Sequence, residues 1–391
     1  MRFNCVARKC GKAVNMKGNF EKLQIEIYGE SHSSEIGVRL GGIPNGCALT
    51  LDNVRNLLSR RKSGNGVWAT PRKESDEPNI VSGLIKRGDV FEVCGEIDIK
   101  IVNGNVRPAD YSNILGIPRP SHADYAAYAK DGRISSGGGR FSGRMTAPLC
   151  IAGGIAQELL AGAEIGICAY ISDIGDIKGA SYKTDENVAL KGVGTAVDAR
   201  IKSSDFPLLN DGVRAEMEEV IRRAASDGDS VGGCVECVVT GLDAGMFGDA
   251  LFEGLESKIA YSVYAIPAVK GVEFGEGFGL ARMRGSEAND AFAIRDGRVV
   301  TKTNRSGGIN GGISNGMPLT LRVAFRPTPS ISVTQKSVGI GSGQECDLRC
   351  KGRHDACIVP RAVPCVESAV AIALLDELLK LRDGIELYGR D

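Results

Sequence analysis

The chain has 391 residues, 42% of them hydrophobic, enough for a sizeable core in one large domain or two ordinary ones. Lysine plus arginine and aspartate plus glutamate balance at 48 each, which excludes the global basic field that non-specific nucleic-acid binding or an anionic membrane surface would require. Any site for an anion therefore has to be local.

The first fifteen residues carry Arg2, Arg8, Lys9 and Lys12 but no apolar run, so they do not form a secretory signal and read as a disordered extension or an upstream start. The domain assignment is an extension over 1–17, one catalytic domain over 18–385 and a tail over 386–391, since no low-complexity linker divides the chain. Residues 23–28 alternate as a strand and end on Gly29-Glu30-Ser31-His32, a turn that holds His32 at the strand end. Residues 36–43 form a second strand, closed by the turn Pro44-Asn45-Gly46. Thr50 or Asp52 then caps a helix with Val54, Leu57 and Leu58 on one face. It delivers Arg60, Arg61 and Lys62 at its C-terminus, either as complements to the helix dipole or, with the loop 63–66, as a lid over an anion. Strands follow over 79–84 and 97–102, and a loop over 103–117.

Residues 144–162 are rich in alanine and glycine and apolar on most faces, which places this helix inside the protein. The apolar run 145–171 is interrupted by Gln157, Glu158 and Glu164 and does not read as membrane-spanning. An amphipathic helix over 211–226, a strand over 234–240, a helix over 250–264 and a last long helix over 363–381 complete the chain. Gly41 to Leu51 (GGIPNGCALTL) and Gly311 to Leu321 (GGISNGMPLTL) agree at eight of eleven positions, a candidate internal repeat. The twelve cysteines are scattered in mainly apolar runs, as buried free thiols in a reducing cytoplasm would be. Cys234 and Cys237 form a C-x-x-C inside a strand pattern with no second pair at zinc-finger spacing, so a structural role is favoured over metal or redox chemistry.

The chemistry is densest over 119–148, where thirty residues hold His122, four arginines and Gly137-Gly138-Gly139. The three histidines, His32, His122 and His354, all lie in polar, glycine- or arginine-flanked contexts suited to proton transfer near neutral pH. No pair has the i,i+4 spacing of a helical metal-ligand set. Arg60, Arg61, Arg119, Arg140, Arg144 and Arg353 sit beside glycine, serine or histidine, where a planar fork binds phosphate or carboxylate at two points. Neither a Walker loop nor a strand-anchored G-x-G-x-x-G is present, which disfavours ordinary nucleotide binding.

Five blocks in order, YGESH (28–32), RPSHAD (119–124), GGRFSGRMT (138–146), GGINGGIS (307–314) and GRHDAC (352–357), resemble the signature blocks of the chorismate synthase family. The resemblance spans about residues 18–382. It implies a single-domain α+β fold, a β-α-β sandwich with central helices between antiparallel sheets, in a cytoplasmic homotetramer. The implied reaction is the 1,4-anti elimination of phosphate from 5-enolpyruvylshikimate 3-phosphate to chorismate, with reduced FMN as cofactor and no metal. By the same resemblance His122 protonates the reduced flavin, His32 protonates the departing phosphate, and Asp355 assists proton removal. Arg60, Arg61, Arg144 and Arg353 correspond to substrate-binding positions, and Arg61, Arg140, Phe141, Ser142, Gly311, Arg326, Pro327, Thr328, Pro329, Ser330 and Arg353 to flavin-binding positions.

The chain departs from the family pattern at Ser33 and Ser121, where glycine is usual, at Val67 for arginine, Pro267 for asparagine and Arg326 for lysine. With Val67, an external flavin reductase is the expected source of reduced FMN, and NADPH would bind only if the chain reduced flavin itself. Two rival readings are a metal-dependent phosphate hydrolase and a binding protein that kept the pocket without catalysis.

Overall fold

The structure is a computed structural model that describes residues 15–62, 66, 68, 76–104, 116–350 and 355–381. One sheet begins with Met16–Lys17, Gln24–Gly29 and Glu35–Gly41 and continues through Val90–Val102, the strand that Asn79–Arg87 and Ala48–Leu49 also join. Every pairing is antiparallel. Period-2 alternation explains its central strand: Ile97, Ile99 and Ile101 are fully buried on the inner face while Glu96, Asp98 and Lys100 alternate with them. Each such isoleucine contributes roughly 1.5–3 kcal/mol of burial.

The second sheet runs Val269–Phe274, Leu319–Phe325, Gly233–Thr240, Gly166–Ile174 and Ile177–Lys178, again all antiparallel. Helices lie between the sheets: Asp52–Arg61, Thr146–Ala161, Leu255–Tyr264 and Val359–Leu381, with Thr146–Ala161 touching strands of both. The expected α+β sandwich with central helices is what the chain adopts.

The helix Thr146–Ala161 is buried along nearly all its length, as its composition requires. Gly153 and Gly154 make that possible. A Cβ at Gly153 would lie 2.2 Å from Ser368 Cβ, and one at Gly154 2.6 Å from the Val54 backbone, so glycine lets two neighbouring helices close onto this one. The C-terminal helix starts at Val359, one turn before the expected start at Val363, and runs through Pro364. The helix Asp52–Arg61 is not capped by its own side chains alone. Thr50 Oγ1 accepts from Asp52 N, but the Glu158 carboxylate, more than a hundred residues away, accepts from the backbone N–H groups of Thr50, Leu51 and Asn53.

Several elements differ from expectation. The strands at 79–84 and 97–102 are parts of one long hairpin, Asn79–Arg87 with Val90–Val102. The strand Gly166–Ile174 was hidden within an apolar run that cannot be told from a buried helix by periodicity. Met16 and Lys17, assigned by sequence to the extension, pair with Ile27 and Glu26. The two repeat copies share their turn, with φ of 83° and 90° at Gly42 and Gly312 and 86° and 85° at Gly46 and Gly316, then diverge into a helix and a strand. Cys234 and Cys237 sit three apart on one strand and so point to opposite faces, which prevents them from sharing a metal or a disulfide. No helix among the described residues is long and apolar enough to cross a membrane.

Candidate active site

A cavity of about 690 Å³ opens where the central helices present their ends. Asp52–Arg61 brings Arg61 and Lys62 at its C-terminus, and Thr146–Ala161 brings Thr146 at its N-terminus. Ile358, just before Val359–Leu381, and Arg361, Ala362 and Cys365 in its first turns follow a 3-4-7 spacing that forms one stripe. Eight lysines and arginines line it against two aspartates, on a chain of zero net charge. The wall is thus strongly cationic, around a cavity of a size typical of ligand pockets.

Asp76, buried in the cavity wall, organises two of its arginines. Its two carboxylate oxygens accept from different arginines, Oδ2 from Arg61 Nη1 at 2.8 Å and Oδ1 from Arg144 Nη1. Arg61 Nε donates to Thr146 Oγ1 at 2.8 Å, and Arg144 Nε to Asn103 Oδ1 at 3.1 Å. Burial alone would raise the Asp76 carboxyl, but the charges of Arg61 and Arg144 outweigh it and hold it below the usual carboxylate range. Asp76 holds these contacts from a left-handed backbone, φ 47°.

A second relay runs through the RPSHAD block. His122 Nδ1 lies 2.7 Å from Asp124 Oδ1, and Asp124 Oδ2 accepts from Arg119 Nε at 2.7 Å. Arg119 continues to Ser330 Oγ at 3.0 Å. Burial opposes the charge on Asp124, but hydrogen bonds from Arg119 and His122 prevail and keep it ionised far below the normal range. Assigning the Nδ1 proton to this contact leaves Nε2 as the ring nitrogen for the cavity that His122 lines. Asp355 closes the third side: Oδ2 accepts from Arg361 Nη1 at 2.5 Å, while Oδ1 is buried without a hydrogen-bond partner among the described residues. Arg361 Nε in turn donates to the Arg61 backbone carbonyl at 3.0 Å.

Of the residues singled out by sequence, His122, Asp355, Arg61, Arg140, Phe141, Ser142, Arg144, Arg326, Thr328, Pro329 and Ser330 all line the cavity. Arg140 is backed by Asp131 at 2.5 Å and lies 4.7 Å over the Phe141 ring. Pro327 and Gly311 are not among the lining residues. Arg60 turns away into a two-point pair with buried Glu367, at 2.6 and 3.0 Å, so its guanidinium is committed to the core and not to the cavity. His32 stands behind the wall: a Cβ at Gly137, which lines the cavity, would be 2.2 Å from His32 Nε2, and one at Gly138 3.3 Å from His122 Nε2. Gly137 and Gly138, both at positive φ, therefore lie against His32 and His122 respectively. Arg353, His354, Val67 and the proposed lid residues 63–65 lie outside the described residues.

Three contributors, Asp124, Arg361 and Asp76, were given no role from the sequence, although two of them carried a signal. Asp124 was legible as the His-x-Asp of its block, and Arg361 as an arginine on the first turn of a helix. Asp76, within the polar run ESDEPN, gave no signal beyond its charge. Among the departures, Ser121 keeps the left-handed backbone that glycine would favour, φ 59°. Ser33 instead earns its place through its hydroxyl, which meets the backbone of Glu30 and Glu35.

Comparison with known proteins agrees with this geometry. The profile of the family described as chorismate synthase matches residues 23–379. The chain is 42% identical over 364 residues to the chorismate synthase of Lancefieldella parvula, covering 91% of this chain and 94% of that one. It is also 42% identical over 363 residues to that of Thermococcus kodakarensis, covering 92% and 97%. A crystal structure of chorismate synthase shares the fold, with a TM-score of 0.70 at 24% identity over 93% of both chains. With a family match across almost its whole length and relatives this similar, the chain belongs to the chorismate synthase family.

Proposed function

We propose that the cavity binds 5-enolpyruvylshikimate 3-phosphate beside reduced FMN and eliminates its phosphate in a 1,4-anti sense to give chorismate. The observation that carries this reading is the excess of eight cations over two aspartates around one cavity. A substrate with one phosphate and two carboxylates needs such a wall. Arg61 and Arg144 grip its anionic groups, and Asp76 fixes the two guanidiniums relative to each other. The N-terminus of Thr146–Ala161 adds a favourable potential for negative charge.

The residues present fit a flavin. Asp355 Oδ1 is a buried acceptor with no hydrogen-bond partner among the described residues, suited to an N–H of the isoalloxazine ring, and Arg140, Phe141, Ser142, Arg326, Thr328, Pro329 and Ser330 line the same cavity. Held there by these residues, reduced FMN would supply a transient electron for the loss of phosphate. His122 holds a proton at Nε2 for delivery into the cavity, with Asp124 and Arg119 fixing the ring. His32 serves the leaving phosphate from behind Gly137, and Arg353 joins the substrate clamp. Arg60 is withdrawn from that clamp because of its pair with Glu367. The working enzyme is a cytoplasmic homotetramer supplied with reduced FMN from outside, a state that light scattering and a flavin-reduction assay with NADPH check.

The deciding experiment is anaerobic: purified protein, dithionite-reduced FMN and 5-enolpyruvylshikimate 3-phosphate, followed by chorismate absorbance. Turnover that needs reduced flavin and survives a chelator supports the reading. Absence of turnover with well-folded protein overturns it.

A further inference from the structure

Arg361 stands where a helix does not favour a cation. It is the third residue of Val359–Leu381, in a first turn without an acidic residue, where the unpaired N–H groups and the macrodipole disfavour positive charge. Its guanidinium is directed away from its own helix. Nη1 donates to Asp355 Oδ2 at 2.5 Å, and Nε donates to the Arg61 carbonyl at 3.0 Å. Arg61 is the last residue of Asp52–Arg61, so its carbonyl is one of those that a helix end leaves without an intrahelical partner. One planar fork therefore joins the C-terminus of that helix to the carboxylate of Asp355.

Asp355 is fixed at its backbone by other groups but at its side chain by Arg361. Thr328 Oγ1 donates to the Asp355 carbonyl at 2.9 Å, and the carbonyl of the next residue, Ala356, accepts from Val231 N at 2.8 Å. These bonds hold the chain and leave the side-chain torsions of Asp355 open. Among the described residues Arg361 is the sole hydrogen-bond partner of the carboxylate, through Oδ2, while Oδ1 is buried with none. The two side chains are 22% and 15% exposed, and both residues line the cavity. A lone ion pair that keeps this much exposure contributes little to stability, so holding a geometry is the stronger reason for it.

We propose that Arg361 is a positioning residue for Asp355: it holds Oδ2, leaves Oδ1 for the flavin, and ties that carboxylate to the helix that carries Arg61. The inference rests on the functional reading above, in which Asp355 meets the flavin and Arg61 the substrate. Arg361 acts through Asp355 and adds no contact of its own to the flavin. Lysine cannot take its place, because an ammonium is a point donor on a flexible stem, whereas Nε and Nη1 lie in one plane and meet two acceptors in fixed directions. Without the bridge, Asp355 gains rotamers in which its carboxylate misses the ligand. Loss of Arg361 thus weakens flavin binding and turnover only as far as Asp355 supports them.

The test is a double-mutant cycle read by anaerobic equilibrium titration of the full-length protein with reduced FMN. Arg361→Met and Asp355→Ala are each expected to weaken binding by about 10–100-fold, the range for a hydrogen bond to a charged group, and the double variant to bind no more weakly than Asp355→Ala alone. In the turnover assay Arg361→Met should lower kcat by about tenfold or more, again with no further loss once Asp355 is alanine. Arg361→Lys should recover only part of either loss. Losses that multiply in the double variant overturn the proposal, as do unchanged affinity in Arg361→Met and full recovery in Arg361→Lys. If Arg361→Met fails to fold, the same cycle built on Arg361→Lys decides. An unaltered chain that binds reduced FMN without turnover overturns the functional reading, while the affinity cycle still decides the role of Arg361; one with no affinity for reduced FMN overturns both.

Discussion

Two sets of buried carboxylates in this protein respond to burial in opposite ways. Glu236, on the face of the second sheet away from the central helices, accepts from Tyr170, Ser181 and the Tyr182 backbone, and burial raises its carboxyl above the ordinary range despite those bonds. Asp76 and Asp124 are also buried, yet guanidinium partners carry both below that range. Neutral donors satisfy a carboxylate without repaying its lost hydration, whereas arginines do both. A carboxylate closed in by neutral donors holds covering loops onto a sheet. One clamped by arginines beside an open cavity holds those arginines ready for another anion.

The comparison is tested most sharply at the end of the cavity relay. If Asp124 exists to orient His122 for proton delivery, His122→Ala lowers turnover by about 10²–10⁴ in the anaerobic assay while leaving the unfolding midpoint nearly unchanged. The ring is partly exposed to the cavity, so little packing is lost with it. An unaffected rate would remove His122 from the chemistry and reduce the relay to a structural ion pair.

The carboxylates themselves come next. Asp76→Asn takes one charge from between two buried arginines and is expected to cost about 3–5 kcal/mol of stability by urea titration. Glu236→Gln keeps the size and most of the hydrogen bonds and should change stability by about 1 kcal/mol or less at neutral pH. Their pH dependences have opposite signs. The contribution of Asp76 is fully present above the unfolded carboxylate value of about 3.9 and is lost as pH falls toward its depressed folded value. That of Glu236 is present below about 4.3 and is lost as pH rises through its elevated folded value. Asp76→Asn therefore flattens the acid limb of the stability profile, and Glu236→Gln flattens the side approaching neutrality. Equal effects from the two substitutions would break the distinction.

The sequence made one of these regions legible and left the other nearly silent. His122 and Asp124 stand two apart in a block that announces its chemistry, and the cavity wall from Arg140 to Arg144 follows a glycine run with no structural reason to be so basic. The buried helix Thr146–Ala161 was readable because its apolar residues cover every face. Asp76 was not, because its partners Arg61 and Arg144 are fifteen and sixty-eight residues away and only the fold brings them together. Arg60 misled for the related reason that adjacent residues on a helix point about 100° apart, so Arg60 reaches Glu367 while Arg61 reaches the cavity. The outer cluster at Glu236 likewise joins three segments, and no local pattern marks it.

The smallest effect concerns the residue next to the relay. Ser121 holds a left-handed φ of 59° immediately before His122, and its carbonyl accepts from Arg326 Nη1 across the cavity mouth. A non-glycine residue in this conformation carries a penalty of roughly 1–2 kcal/mol from its Cβ. Ser121→Gly removes that Cβ but returns backbone freedom to the unfolded chain, at a cost of about 0.4–1 kcal/mol. The two terms leave a net gain of about 0.5–1 kcal/mol, read as a higher urea midpoint with unchanged slope. Because no hydrogen bond to the Ser121 side chain fixes the His122 ring, whose contacts are to Asp124 and Arg119, turnover should stay within about twofold. A loss of stability in Ser121→Gly would mean that the hydroxyl supports the turn by an interaction stronger than the strain it accompanies.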